Sequence, residues 1–101
     1  MNKTNVLQGL GLCKRANKLV SGEELVLAKI KTKKASLVFL ASDAGVNTTK
    51  RITDKSLFYG VLVINDFNTV ELNTAIGTEN RKVLAITNKS FSKMILEQLE
   101  K

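Results

Sequence analysis

The chain has 101 residues, 44% of them hydrophobic and 25% charged, which suits one folded domain with its own core and excludes intrinsic disorder. Its longest apolar run, Ser36 to Ala41, is too short to span a bilayer, and Met1 to Asn5 open no secretory signal. The net charge of +7 is unevenly placed: residues 1–60 hold eleven Lys or Arg against four Asp or Glu, and residues 61–101 hold five against five. One-sided positive charge favours an anionic partner, nucleic acid ahead of an anionic membrane, over a merely solvating surface. A single cysteine, Cys13, forms no internal disulfide, and with no signal or membrane segment the expected location is the cytoplasm.

In chain order, residues 4–16 place Val6, Leu7, Leu10 and Cys13 on one side of a helix. Gly9 and Gly11 interrupt that helix at about 1 kcal/mol each relative to alanine. Lys18 to Val20 suit a very short strand. Ser21 and Glu24 fit a capping box at the start of a helix over about residues 22–33. Leu37 to Leu40 form a buried-strand run, closed by Ala41-Ser42-Asp43. A helix is predicted from Thr48 to Tyr59, with Ile52 and Leu57 as core candidates and Gly60 beyond its end. Val61 to Ile64 form another strand, Val70 to Ile76 a short helix stopped by Gly77, and Val83 to Ile86 a further strand. The last helix carries Phe91, Met94, Ile95, Gln98 and Leu99 at helical spacing. Helices alternating with strands that lack polar alternation predict a three-layer α/β/α sandwich around a mixed sheet of about four strands, in one domain over residues 1–101.

The chain has no histidine, which removes the commonest general base and metal ligand, and no acidic or cysteine cluster has metal spacing. No cofactor or metal is expected. Cys13 reads as a core residue ahead of a nucleophile, since it lies on the apolar side of the first helix. Gly9-Leu10-Gly11 follows no strand and lacks a third glycine, so it is no dinucleotide fingerprint. Asp43, at the end of a strand, suits either a ligand site or a structural role, capping the turn Asp43-Ala44-Gly45 or orienting the following helix, and the structural role is favoured.

Basic residues form a better constellation. Lys14, Arg15 and Lys18 precede the helix start at Ser21-Gly22, whose amides are expected to face a phosphate, with Gly22 leaving room for close approach. Lys29, Lys31, Lys33 and Lys34 close the same helix, where cations also favour its dipole. Glu23 and Glu24 sit oddly beside a phosphate site unless they accept from base donors. Capping alone and capping with RNA contact remain two readings of that pair, with Glu23 the freer carboxylate.

Lys18 to Glu24, Ala35 to Ala44, Leu72 to Gly77 and Arg81 to Thr87, in that order over nearly the whole chain, resemble the ribosomal protein L7Ae/L30e family of kink-turn RNA binders. The resemblance implies an α/β/α sandwich and RNA binding, and the expected protein is monomeric and non-enzymatic, with structured RNA, ribosomal RNA or the ribosome as its partner. It places RNA contacts at the start of the second helix and in a loop before the last strand. In the family pattern Gly-x-Asn-Glu-x-x-Lys, Gly22 matches the glycine, whereas Glu24, Leu25 and Ala28 stand where Asn, Glu and Lys are expected. In the second segment Leu72 and Gly77 fit, Asn73 replaces a glycine, and Ile76, Gly77 and Arg81 are the implied contacts. The expected RNA-binding set is thus Lys14, Arg15, Lys18, Ser21, Gly22, Glu23, Glu24, Lys33, Ile76, Gly77 and Arg81. A protein–protein adaptor using the charge-neutral part, and a small nucleotide-binding enzyme built around Asp43, are the rival readings.

Overall fold

A computed structural model describes residues 1–101. Helix α1 (Lys3–Arg15) leads to strand β1 (Leu19–Ser21), α2 (Glu23–Lys31), β2 (Leu37–Leu40), α3 (Val46–Tyr59), β3 (Val63–Ile64), α4 (Thr69–Ile76), β4 (Val83–Ile86) and α5 (Lys89–Leu99). The sheet order is β1-β4-β2-β3, with β4 antiparallel to both β1 and β2, and β2 parallel to β3. The predicted mixed four-stranded sheet is therefore present.

Side-chain alternation along the two central strands divides the core. Leu37, Phe39, Leu84 and Ile86 point to the side covered by α1, α4 and α5, where they join Val6, Leu10, Phe67, Leu72 and Ile95. Val38, Leu40, Val83 and Ala85 point the other way, onto Val26 and Ile30 of α2 and Ile52 of α3. Both faces are apolar because both are covered, which is why the sequence shows runs rather than alternation. No helix is long and apolar enough to cross a membrane.

The two glycines inside α1 have a packing reason. A Cβ on Gly9 would lie 2.3 Å from the Ile95 side chain of α5, and one on Gly11 would lie 2.9 Å from the Ala75 carbonyl oxygen of α4. Their missing side chains let both neighbouring helices approach α1 closely. Cys13 is fully buried, and burial pushes its thiol pKa up, as a packing role requires.

Three expectations are corrected. Helix α2 is capped by Gly22 without a side-chain hydrogen bond, so Ser21 and Glu24 form no capping box; Ser21 is taken up in β1. The capping box belongs to α4 instead, where Asn68 accepts from the Glu71 amide and Glu71 accepts from the Asn68 amide, both at 2.9 Å. Leu57 is 80% exposed, because α3 buries the face carrying Ile52 and Ser56, and a residue five positions from Ile52 is rotated well away from it. Boundaries also move slightly: α3 starts at Val46 after Gly45, and β3 contracts to Val63–Ile64.

Candidate nucleic-acid interface

Strand direction sorts the predicted site residues by end. The C-terminal end of β1 abuts the N-terminal end of β4, where the Gly22 amide donates to the Val83 carbonyl at 2.9 Å. At the opposite end, the Thr87 amide donates to the Lys18 carbonyl, also at 2.9 Å. Ser21, Gly22, Glu23, Glu24 and Arg81 thus gather at one end of the sheet, which we call the glycine end. Lys18 and Lys33 lie at the other. A helix running the length of the sheet carries Lys33 away from Gly22, and β1 does the same to Lys18.

At the glycine end, Gly22 has φ +95°, a conformation that suits glycine alone. A Cβ there would lie 2.7 Å from Arg81 Nη1, so the guanidinium rests directly on a bare piece of backbone. The Gly22 amide closes the sheet and does not face outward as expected. The open donors are instead the first-turn amides of Glu23, Glu24 and Leu25, which no side chain caps and which carry the positive end of the helix dipole. Leu25 is 55% exposed, so an apolar side chain lies beside them.

Glu23 is not the freer carboxylate. It pairs side-on with Nε and Nη2 of Arg51 of α3, the Nη2 contact measuring 3.1 Å, and accepts from the Thr48 hydroxyl at 2.8 Å. These bonds, Arg51 first and Thr48 second, hold its pKa below the ordinary glutamate value, and the same pair raises that of Arg51. The charge of Glu23 is therefore neutralised within the protein. Glu24 is the exposed carboxylate, free of any ion pair.

The turn that delivers Arg81 is built around Asn73, a buried residue of α4. Its side-chain amide donates to the carbonyls of Thr69 (2.7 Å) and Arg81 (2.8 Å). Its oxygen accepts from the Thr78 hydroxyl (2.8 Å) and the Arg81 amide (2.9 Å). Asn73 thus organises residues 77–81, a task glycine has no atoms to perform. Gly77 caps α4 in the left-handed conformation, φ +71°, whereas Ile76 is 5% exposed and its side chain belongs to the core. Asp43 accepts from both the amide (2.9 Å) and the hydroxyl (2.7 Å) of Thr69, which lower its pKa. It anchors the start of α4, a structural role, but not the expected capping of its own turn or orientation of α3. Lys82 reaches the same hydroxyl at 3.1 Å.

Lys14 and Arg15 end α1; Arg15 lines an open groove with Gly11, Val70, Thr74 and Ala75 between α1 and α4. Sequence reading missed Arg51 and Thr48, and noted Asn73 only as a replacement for glycine, without its role. A carboxylate in the first turn of a basic chain was the one available signal for Arg51; nothing local announced the hydrogen-bond partners of Asn73, which are set by the fold.

A family model described as the ribosomal protein L7Ae/L30e/S12e/Gadd45 family matches residues 4–96. An Enterococcus faecium protein named RNA-binding protein YlxQ is 40% identical over 99 residues, covering 98% of this chain and 95% of that protein. Its namesake from Bacillus subtilis (strain 168) is 41% identical over 91 residues, covering 90% and 91%. Among solved structures, a protein of unknown function from Bacillus halodurans superposes with a TM-score of 0.89 at 34% identity, covering 95% of this chain and 97% of its own. A Giardia lamblia 15.5kD RNA binding protein superposes with a TM-score of 0.83 at 17% identity, covering 96% and 83%, a likeness of fold alone. The chain belongs to the ribosomal protein L7Ae/L30e/S12e/Gadd45 family.

Proposed function

We propose that this protein binds structured RNA without catalysing a reaction, and that it recognises a kink or bulge in ribosomal or ribosome-associated RNA with its glycine end. The family and the names of the two YlxQ relatives support RNA binding. The observation that carries the site is the Arg81 guanidinium resting on Gly22 beside the open amides of α2. Gly22 leaves room for the Arg81 guanidinium, and a phosphate beside it takes hydrogen bonds from the Glu23–Leu25 amides and the Arg81 fork. The Glu23–Arg51 pair keeps a carboxylate beside this point from repelling it. Unpaired bases of a bulge then lie against the exposed Leu25 and the guanidinium plane, since the deep groove of an A-form helix is closed to side chains. Leu25 and Ala28 provide no side-chain hydrogen bond to a base, so shape and phosphate position contribute more to selectivity than base edges do.

The test is a titration of bulged RNA against the same RNA fully paired, across salt. With about four to six phosphates engaged, log affinity falls against log salt with a slope of roughly −3 to −5, and the bulged RNA is preferred. Arg81→Ala weakens binding to the bulged RNA, and Arg81→Lys recovers only part of it because the fork is gone. A flat salt response, or equal affinity of wild type and Arg81→Ala, would sink this reading.

A further inference from the structure

The opposite end of the sheet holds a charge cluster that the glycine end does not use. Two adjoining open grooves of about 500 and 380 Å³ meet there and share Lys33, Ala35, Ser36 and Lys89. Lys29 and Lys34 line one, Lys93 and Tyr59 the other. Five lysines from α2, the segment after it, and α5 thus converge, although Lys34 and Lys89 lie fifty-five positions apart along the chain. No carboxylate lines either groove, and none of these lysines belongs to the chain's three ion pairs. Lys18 is tied to the same end through Thr87, which lines the second groove.

Lys33 has φ +62°, in the left-handed position just past α2 where glycine is the usual occupant, so a cationic side chain stands there against a steric preference. The Lys34 and Ala35 amides both donate to the Lys29 carbonyl, at 2.8 and 3.1 Å, and fix the turn in which Lys33 and Lys34 are exposed.

We propose that this end is a second RNA site, taking the phosphate backbone of a further segment of the same folded RNA. The proposal rests on the RNA-binding reading above. Lysines are flexible point charges suited to phosphates and carry no base code. The smaller groove, whose sole apolar residue is Ala35, offers no pocket for the aromatic or aliphatic anchor that peptide binding needs; Tyr59, Val61 and Leu96 line the larger one, so an acidic segment is the rival that the test below separates. The two ends of β4, Val83 beside Gly22 and Thr87 beside Lys18, face opposite ways in a molecule 28 × 25 × 24 Å across. One protein therefore sits between two RNA segments and bridges them.

The test compares Lys33→Ala/Lys89→Ala, which removes the lysines common to both grooves, with Lys50→Ala/Lys55→Ala, which removes equal charge from α3. Each is titrated on a minimal bulged hairpin and on a longer folded RNA containing it, with thermal unfolding to confirm the fold. On the longer RNA, the first variant loses affinity about tenfold and its salt slope becomes shallower by about two. On the minimal hairpin it matches wild type, and Lys50→Ala/Lys55→Ala matches wild type on both, whereas Arg81→Ala weakens both RNAs. Equal losses from the two double variants, or an unchanged slope for the first on the longer RNA, overturn the second site. Binding of poly-glutamate that Lys33→Ala/Lys89→Ala abolishes, with the RNA slope unchanged, overturns it in favour of an acidic protein segment. If Arg81→Ala behaves as stated and Lys33→Ala/Lys89→Ala is neutral, only the second site fails; if wild type binds neither RNA, both readings fall.

Discussion

Asn73 holds the backbone of Arg81 on both sides, donating to its carbonyl at 2.8 Å and accepting from its amide at 2.9 Å. The residue that presents a guanidinium to Gly22 is thus positioned from inside the core, by a side chain only 6% exposed. Replacing Asn73 by Ala removes the side-chain partner of the Arg81 amide, the Arg81 carbonyl and the Thr78 hydroxyl. The expected loss is about 2–4 kcal/mol in denaturant unfolding, since each orphaned buried group costs about 1–3 kcal/mol. RNA affinity falls further than the lower stability explains, because Arg81 loses its anchor. Stability lost with RNA affinity intact in the folded fraction would separate the two roles.

Gly22 and Arg81 are coupled sterically. Gly22→Ala meets Arg81 Nη1 at 2.7 Å and keeps φ near +95°. The backbone part costs about 1–3 kcal/mol whatever the neighbour does. In a double-mutant cycle, Arg81→Ala recovers the clash and leaves the backbone cost. Strict additivity of the two substitutions, read from unfolding midpoints, would mean that the guanidinium moves aside freely.

Gly11→Ala in α1 sets helix propensity against packing. Alanine gains about 1 kcal/mol in a helix. The new Cβ, however, meets the Ala75 carbonyl oxygen at 2.9 Å, a backbone atom that cannot rotate away. Overpacking of this kind costs about 1–3 kcal/mol, so the net effect is destabilising and shows as a lower thermal midpoint. A raised midpoint would mean that α1 and α4 separate without penalty.

The pH dependence follows from two carboxylates. Arg51 and Thr48 lower the pKa of Glu23, and the hydroxyl and amide of Thr69 lower that of Asp43. A carboxyl with a lower pKa in the fold than in the unfolded chain stabilises the fold above its unfolded value, about 4, and that contribution is lost as pH falls through the folded value. The thermal midpoint is therefore flat near neutrality on account of these groups and drops in acid. In Glu23→Gln/Asp43→Asn the acid drop is shallower. An identical acid profile for wild type and this variant would show that other groups govern it.

Apolar runs and helical periods were enough to determine the nine elements, the covered sheet and the burial of Cys13. Each of these follows from the period of one local segment: Leu37–Leu40 needs two apolar faces, and Phe91, Met94, Ile95 and Leu99 need one. Gly22 was legible for a related reason, because a glycine before a helix start has few other uses. Tertiary structure decided which groups share an end of the molecule. Sequence proximity joined Lys18 to Gly22, yet three residues of strand separate them to opposite ends of β1, while Lys33 and Lys89 are brought together by chain reversal. It also decided that Glu23 belongs to Arg51, twenty-eight positions away, and that Asn73 belongs to Arg81. Hydrogen bonds and charge pairs depend on distance in space, and local periodicity carries no information about that distance until the helices have packed.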